Sequence, residues 1–248
     1  MKEINLDKES IYLLWTGGFD STYQLLNLLI VEHRKVIPFY IIDTGRSSAC
    51  IELQRMKEIK EAILKEYPYT SELLQDIQTF LISEIAPDSD IREAYLEIRK
   101  NDYLGGQYEW LARFCKQKGI SEAQLCVVSL DNPYFQKILI PKDNFMYVVD
   151  EKYKGNKEYT LFKYFTFPIF TLTKNEMVKF TKERGLENII NMTWFCHNPT
   201  RKKEACGRCG PCTHVIDEGL GWRIPLKNRI ISSFTKPIIN FIDNLSKN

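Results

Sequence analysis

The sequence predicts an α/β fold: a parallel sheet with helices on both faces, followed by a cysteine-rich C-terminal segment. Three observations indicate this class. Short apolar runs bounded by turn residues alternate with stretches of helical spacing, the first run leads into a glycine loop, and four of the seven cysteines crowd into residues 196–212. Alternating strands and helices form a parallel sheet whose ligands bind at the carboxyl ends of the strands.

Each element follows from its local pattern. The apolar runs 11–15 and 36–42 are predicted strands, and residues 21–35 between them have helical spacing. The charged stretch 150–159 is a predicted solvated loop, and the tail 225–248 is a predicted helix that packs on the body or on a partner. The remaining elements, in order, are a helix over about 48–66, a strand over 79–83, a helix over about 106–118, an apolar run over 124–130 that continues the strand–helix alternation, and a helix capped near Thr173 and stopped at Gly185.

Composition narrows the class of protein. With 44% hydrophobic residues the 248-residue chain can bury a sizeable core, and a formal charge of +2 favours no particular partner. No apolar run approaches the roughly 18 residues that span a bilayer, and the polar N-terminus is unlike a signal peptide. We therefore expect a cytoplasmic protein without a membrane partner, in which the cysteines serve as thiols or metal ligands.

The stretch TGGFDST, residues 16–22, follows the first predicted strand and opens the first predicted helix. Glycines let the backbone approach an anion closely, and the free N–H groups of a helix start point at it, so this arrangement favours phosphate. The loop is not a Walker A motif, because it has no lysine, and it is not a G-x-G-x-x-G fingerprint. The alternative is an ordinary helix cap made by the aspartate and serine of the stretch.

Four cysteines have the spacing C-x9-C-x2-C-x2-C, with Gly and Pro between them that allow tight turns: Cys196, Cys206, Cys209 and Cys212. Four thiolates suit tetrahedral zinc, and a site filled by four protein ligands is structural. An iron–sulfur cluster and a redox C-x-x-C pair are the alternatives. His197 and His214 flank the cluster and could replace one thiol, but surface roles fit them better. Cys50, Cys115 and Cys126 are predicted to be buried packing residues.

Three segments together resemble the 7-cyano-7-deazaguanine synthase family of the PP-loop ATP pyrophosphatase superfamily. They are TGGFDST at 16–22, FPIFTLTKNEM at 167–177 and TWFCHN…CGRCGPC at 193–212. The resemblance implies an adenine nucleotide α-hydrolase-like, Rossmann-like fold with an ATP-binding domain over 1–150 and a zinc-containing C-terminal region over 151–248. It also implies a ligase that splits ATP, held with Mg²⁺, between the α and β phosphates and passes AMP to its substrate.

The resemblance assigns roles to individual residues. Asp20 would orient the loop or help to hold magnesium. Lys174 would contact the α-phosphate, unless it is a solvated lysine in a first helical turn. Asp43 and Thr44 would lie beside the adenosine, although Asp43 could equally cap the next helix. The donors to the pyrophosphate half of ATP would be Thr16, Gly17, Gly18, Ser21 and Thr22.

The implied substrate is a small deazapurine, 7-carboxy-7-deazaguanine, which ATP and ammonia convert to 7-cyano-7-deazaguanine in queuosine biosynthesis. The acceptor side departs from the family pattern, because Arg99, Gln107 and Asp131 are only loose counterparts of its nucleobase residues. Basic residues that often follow the last cysteine are here Thr213 and His214.

Three other functions stay open. A diverged relative could couple the activated deazaguanine to another amine, such as a protein N-terminus, and stop at the amide. A tRNA-thiolating enzyme is the second, although the near-neutral charge argues against a nucleic-acid partner. The third is a non-enzymatic zinc module. The sequence leaves a homodimer open as well.

Overall fold

The computed structural model describes residues 9–129, 133–143 and 145–230. The strands in these ranges are β1 (Ile11–Leu14), β2 (Val36–Ile42), β3 (Gln78–Leu81), β4 (Ala123–Gln124), β5 (Leu139–Pro141), β6 (Tyr147–Val149) and β7 (Phe165–Thr166). Five of them form one sheet in the order β3-β2-β1-β4-β7, with every neighbouring pair parallel. The other two, β5 and β6, form an antiparallel hairpin.

The α-helices of the described ranges connect these strands as far as β7, and the last three follow it. They are α1 (Phe19–Leu26), α2 (Ala49–Glu66), α3 (Ser89–Ile98), α4 (Gln107–Lys118), α5 (Pro133–Ile138), α6 (Lys157–Phe162), α7 (Lys174–Glu183), α8 (Glu187–Ile190) and α9 (Gly210–Asp217). None of the helices in the described part of the chain has the length and apolar character that crossing a lipid bilayer requires.

Both faces of the sheet are buried under helices. Along β1 and just beyond it, Leu13 and Trp15 pack with α1, α2, α7 and α8, whereas Leu14 packs on the opposite face with α3 to α6. In β2, Tyr40 joins the first cluster and Phe39 the second. Successive strand residues point to opposite faces, so this alternation needs cover on both. The predicted α/β class is therefore confirmed.

The strand order reverses at β1. From β1 the chain adds β2 and β3 on one side and later adds β4 and β7 on the other. In open α/β sheets, ligands bind outside the carboxyl ends of the strands at the point where the order reverses. The glycine loop, which follows β1 directly, lies at that point.

Two element predictions are wrong in detail. The apolar run 124–130 contributes a strand of only two residues, Ala123–Gln124. Its neighbours are short, since β1 ends at Leu14 and β7 spans Phe165–Thr166, so no partner is left for a longer ladder. The helix predicted over 21–35 starts earlier, at Phe19, and passes into a π-helical turn at Asn27–Val31.

The second half of the chain also differs from the prediction. Stretch 150–159 is not simply a loop, because α6 begins within it and buries Leu161 and Phe162 completely. β7 lies beyond residue 150 yet pairs with β4 in the central sheet; the division of the chain at that residue stays a prediction. Of the predicted tail helix, residues 226–230 are helical, and residues 231–248 lie outside the described ranges.

Candidate active site and metal centre

The backbone of the glycine loop has a shape that excludes a side chain at Gly17. This residue has φ +68°, and a Cβ there would lie 2.8 Å from Cγ of Met56 in α2. Its carbonyl accepts a hydrogen bond from the backbone N–H of Trp194, at 2.9 Å. The loop is thus held closely between α2 and the segment that precedes the cysteine cluster.

Hydrogen-bond donors surround the start of α1. Gly18 is the N-cap, and no side chain caps the helix. Within the described ranges, the first-turn backbone N–H groups of residues 19–21 have no acceptor, as expected at a helix start. The hydroxyls of Thr16 and Ser21 lie 3.3 Å apart, and the Gly18 N–H donates to Thr16 Oγ1 at 3.3 Å. Backbone and hydroxyl groups therefore form a cradle suited to an anion.

Thr22 is the predicted donor that the structure does not bring to this cradle. It is fully buried, and its Oγ1 accepts a hydrogen bond from the indole Nε1 of Trp15 at 2.9 Å. Its backbone N–H donates to the Gly18 carbonyl at 3.0 Å. Thr22 therefore fixes α1 on β1, whereas Thr16 and Ser21 face the loop.

An ion pair joins the loop to α7. The Lys174 ammonium contacts Oδ1 of Asp20 and lies 5.2 Å from the ring centroid of Phe19. Lys174 is the first residue of α7, whose start is fixed by a capping box between Thr173 and Glu176. The hydrogen bonds from Thr173 lower the pKa of Glu176. With its side chain 18% exposed, Lys174 is directed at the loop rather than solvated.

Cys126 lies just beyond β4, and both charges of the Asp20–Lys174 pair shift the pKa of its thiol. Burial raises the pKa of its thiol well above the ordinary value, and the Asp20 carboxylate adds to the shift. The thiolate is the reactive form of cysteine, so this residue is a neutral and unreactive thiol at physiological pH. Cys126 packs against the core as predicted but is only partly buried, whereas Cys115 is fully buried, as predicted.

The turn after β2 lies at the same edge of the sheet. The Asp43 carboxylate accepts a hydrogen bond from the Gly45 N–H at 3.0 Å, and its carbonyl accepts one from the Arg46 N–H at 3.0 Å. The N-cap of α2 is Ser48, so the alternative in which Asp43 caps that helix is wrong. Asp43 shapes the turn, and Thr44 is exposed on it.

A buried carboxylate behind this turn was not foreseen from the sequence. Glu52 of α2 accepts hydrogen bonds from Tyr40 Oη at 2.7 Å and Ser48 Oγ at 2.5 Å, with an Arg46 nitrogen at 4.0 Å. Burial and this carboxylate raise the pKa of Tyr40 far above its usual range. The network fixes the turn against the helix that supports Gly17. Because an acidic residue four positions after a serine is common at helix starts, the sequence does not reveal this hydrogen-bond network.

The four clustered cysteines converge. Their Sγ atoms all lie within 4.8 Å of one another, with Cys206 to Cys212 at 3.9 Å and Cys196 to Cys209 at 3.8 Å. Zinc–sulfur bonds of about 2.3 Å in a tetrahedron place the sulfurs about 3.8 Å apart. The backbone N–H of Cys209 also points at Cys206 Sγ, at 3.4 Å. The residues therefore fit a metal ion held by four thiolates.

Other cysteines and histidines stay outside this group. All seven cysteines are free of disulfides. Neither His197 nor His214 joins the four sulfurs. The prediction that Cys50 is buried is wrong, because it is exposed near the start of α2.

The cysteine cluster and the glycine loop are in direct contact through the segment 193–196. The Trp194 N–H holds the Gly17 carbonyl, and its indole Nε1 donates to the Cys196 carbonyl at 2.7 Å. On the other side, Ser47 Oγ donates to the His197 carbonyl at 3.0 Å. The four-cysteine cluster is therefore built against the anion cradle and the turn after β2.

Two of the loosely assigned acceptor residues, Arg99 and Gln107, do not join this site. Arg99 is exposed at the end of α3 and donates to the hydroxyl of Tyr95 at 3.3 Å. Gln107 is exposed at the start of α4, and Asp131 lies outside the described residues. Within the part of the chain that is described, no hydrogen bond or ion pair links Arg99 or Gln107 to the glycine loop.

Comparison with models of protein families shows to which family the chain belongs. A model described as "Queuosine biosynthesis protein QueC" matches residues 10–218, which include the glycine loop, Lys174 and all four clustered cysteines. The chain belongs to this family. QueC membership implies an ATP-dependent enzyme of the ligase type that takes part in queuosine biosynthesis, the 7-cyano-7-deazaguanine branch, with a small molecule as substrate. A search of curated proteins gave no match to the chain.

Proposed function

We propose that this QueC-family protein activates the carboxylate of 7-carboxy-7-deazaguanine with ATP and converts it, with ammonia, to 7-cyano-7-deazaguanine. The observation that carries the proposal is the family match over residues 10–218. The donor-rich loop at the end of β1 supports it, because an enzyme that releases pyrophosphate needs a site for that group.

Adenylation makes it possible to condense a carboxylate with ammonia, a reaction that is uphill in water. A carboxylate oxygen attacks the α-phosphorus of ATP, the bond from that phosphorus to the β-bridging oxygen breaks, and pyrophosphate leaves. Ammonia then attacks the acyl carbon, AMP leaves with its oxygen, and loss of a proton gives the amide. A second ATP adenylates the amide oxygen, which releases pyrophosphate and one proton from the amide nitrogen, and loss of AMP with the other nitrogen proton leaves the nitrile.

The loop residues would hold the leaving pyrophosphate. The backbone N–H groups of residues 19–21 offer donors that need no reorganisation when charge develops. The Gly18 N–H and the hydroxyls of Thr16 and Ser21 hydrogen-bond to one another and would exchange these bonds for bonds to phosphate oxygens. Asp43 and Thr44 follow the neighbouring strand, where an adenosine bound at this edge would lie. Mg²⁺ bound with ATP would supply further charge neutralisation, with Asp20 as the carboxylate nearest the loop.

Lys174 would act on the α-phosphate. Its ammonium already lies beside the loop, held by Asp20. If Asp20 turns to a magnesium ion, the ammonium is released to pair with the phosphoryl oxygens, which gain charge in the transition state. Zinc held by the four cysteines would supply a structural crosslink and take no part in this chemistry.

The experiment is incubation with ATP, Mg²⁺ and 7-carboxy-7-deazaguanine, with and without ammonia, scoring AMP and the purine product. We expect AMP to require the deazapurine acid, and the nitrile to require ammonia. Lys174→Met should lower the rate of AMP formation by about 100-fold or more, as loss of a transition-state donor does. Lys179→Met removes an exposed lysine of the same helix that pairs with Glu183, and should leave the rate unchanged. Equal rates for both variants would contradict the role of Lys174.

Coupling to another amine is the second candidate. The observation that favours it is the acceptor side, where Arg99 and Gln107 are exposed and unconnected to the loop. Amide that accumulates with a peptide N-terminus, with no nitrile from ammonia, would establish conjugation instead. Abundant nitrile with ammonia alone would exclude it.

The burial and arrangement of the cysteines argue against tRNA thiolation. Sulfur transfer needs a reactive thiolate near the nucleotide. Cys126 is the cysteine beside the loop, and burial raises its thiol pKa. The clustered cysteines are arranged as metal ligands instead.

A further inference from the structure

Arg223 is a half-buried cation outside the range matched by the family model. It ends a short helical turn, Gly221–Arg223, that follows α9. Its Nη2 donates to the Thr193 carbonyl at 2.5 Å and to Thr193 Oγ1 at 2.7 Å. The guanidinium carbon also lies 5.0 Å from the ring centroid of Phe195. These three side-chain contacts all fall on the segment 193–195.

Desolvation of the Arg223 guanidinium costs free energy because the group is charged. Burial lowers its pKa to about 10, against the opposing effect of the Glu218 carboxylate. A partly desolvated charge is also stabilised by hydrogen bonds and by the face of an aromatic ring. A guanidinium can do both at once, because its planar fork donates in the plane and stacks across it.

Thr193 is arranged to receive this cation. Its own hydroxyl donates to the Ile190 carbonyl at 2.7 Å, so the oxygen is left to accept from Arg223. Carbonyl and hydroxyl oxygen of one residue therefore bind the same nitrogen. This fixes the backbone at Thr193, and with it the direction of the next N–H group, that of Trp194.

The Trp194 N–H in turn fixes the glycine loop. It holds the Gly17 carbonyl at 2.9 Å. In a trans peptide the carbonyl and the following N–H point in opposite directions, so the orientation of the Gly17 carbonyl sets that of the Gly18 N–H. That N–H belongs to the anion cradle, at 3.3 Å from Thr16 Oγ1.

We propose that Arg223 is a positioning residue for ATP binding: by clamping Thr193 and Phe195 it holds Trp194 against Gly17 and so aims the Gly18 N–H at the phosphates. The inference rests on the proposed function only in that the loop binds ATP. It does not depend on which carboxylate or amine the enzyme uses.

The test measures binding of α,β-methylene-ATP with Mg²⁺ by calorimetry, since this analogue resists cleavage between the α and β phosphates. We expect Arg223→Met to raise the dissociation constant roughly 3- to 30-fold, the range of coupling through a packed network. Arg223→Lys keeps the charge but not the fork and should recover part of the loss. Lys227→Met removes an exposed cation of the same segment, which pairs with Glu204, and should bind like the wild type.

Further readouts separate positioning from a general structural role. Zinc content and melting temperature are measured for each variant, and Thr193→Val is combined with Arg223→Met. We expect the double variant to bind no more weakly than Arg223→Met, because both act through one contact. The KM for ATP should rise more than kcat falls.

Several results would overturn the proposal. Wild-type affinity in a zinc-loaded, folded Arg223→Met would do so, and so would additive effects of the two substitutions. If Arg223→Met does not fold, Arg223→Lys decides, and its full wild-type affinity would count against a role for the fork. Weakened analogue binding together with no AMP from the deazapurine acid would sink the proposed function but leave this inference standing.

Discussion

The glycine loop and the cysteine cluster both bring polar atoms to one point, but they use different parts of the chain. The cluster uses side chains, four sulfurs within 4.8 Å of one another. The loop uses mainly backbone N–H groups, and its side chains matter chiefly by their absence, as at Gly17. A site of side chains is visible in residue types and spacing, whereas a backbone site is visible only through the glycines that permit it.

The largest expected effect comes from breaking the side-chain site. Cys206→Ser replaces one of four ligands and should lower zinc affinity by more than the roughly 100-fold that losing a ligand-orienting partner can cost. Zinc content and the melting temperature should fall together, because a structural metal contributes to folding. Cys50→Ser changes an exposed cysteine and is the control. Full zinc retention in Cys206→Ser would contradict four-thiolate ligation.

Adding one carbon atom, the Cβ of alanine, at Gly17 should disrupt the backbone site. Gly17→Ala combines a strained φ of +68° with a contact at 2.8 Å to Met56. Gly185→Ala is a matched control, with the same φ of +68° and no atom near its added Cβ. We expect about 1–2 kcal/mol of destabilisation for Gly185→Ala, from φ alone. Gly17→Ala should lose about 1–3 kcal/mol more.

Chemical denaturation gives these stabilities, and AMP formation gives the functional effect. Gly17→Ala should lose AMP formation while it keeps zinc, and Gly185→Ala should keep both. Equal stability loss in the two glycine variants would mean that the approach of α2 to the loop does not shape it.

The smallest effect is expected at Cys126, beside the Asp20–Lys174 pair of the loop. Cys126→Ala removes a neutral thiol beside the Asp20–Lys174 pair and should cost about 1 kcal/mol of stability, typical of a single substitution. The AMP-forming rate should stay within about threefold, and zinc content should not change. Abolished activity in a folded variant would revive a sulfur-carrier role for this cysteine.

The sequence predicts the architecture and both sites because each depends on local pattern. Alternating apolar runs predict the sheet, and Gly17 and Gly18 predict the loop. The convergence of the four thiols follows from their spacing. Asp20 and Lys174 were named separately, but their ion pair depends on how α7 packs against α1, which no local pattern contains.

What the sequence does not predict is set by packing over long distances. The two-residue length of β4 depends on where its neighbours end. Thr22 turns inward because Trp15 lies across from it, a contact between the strand and the helix that flank the loop. Arg223 looks like any surface arginine until Thr193 is folded against it.

The hydrogen bond from Trp194 to Gly17 also dictates an order of events during synthesis. Its two residues lie near opposite ends of the matched region, so a chain growing from the ribosome makes the loop early and its tether late. Until the segment 193–196 emerges, the Gly17 carbonyl lacks its hydrogen-bond donor, so this bond does not yet hold the loop in its final shape. Domains fold as units as their last elements arrive. A loop shaped by this hydrogen bond is therefore complete only once residues 193–196 have emerged.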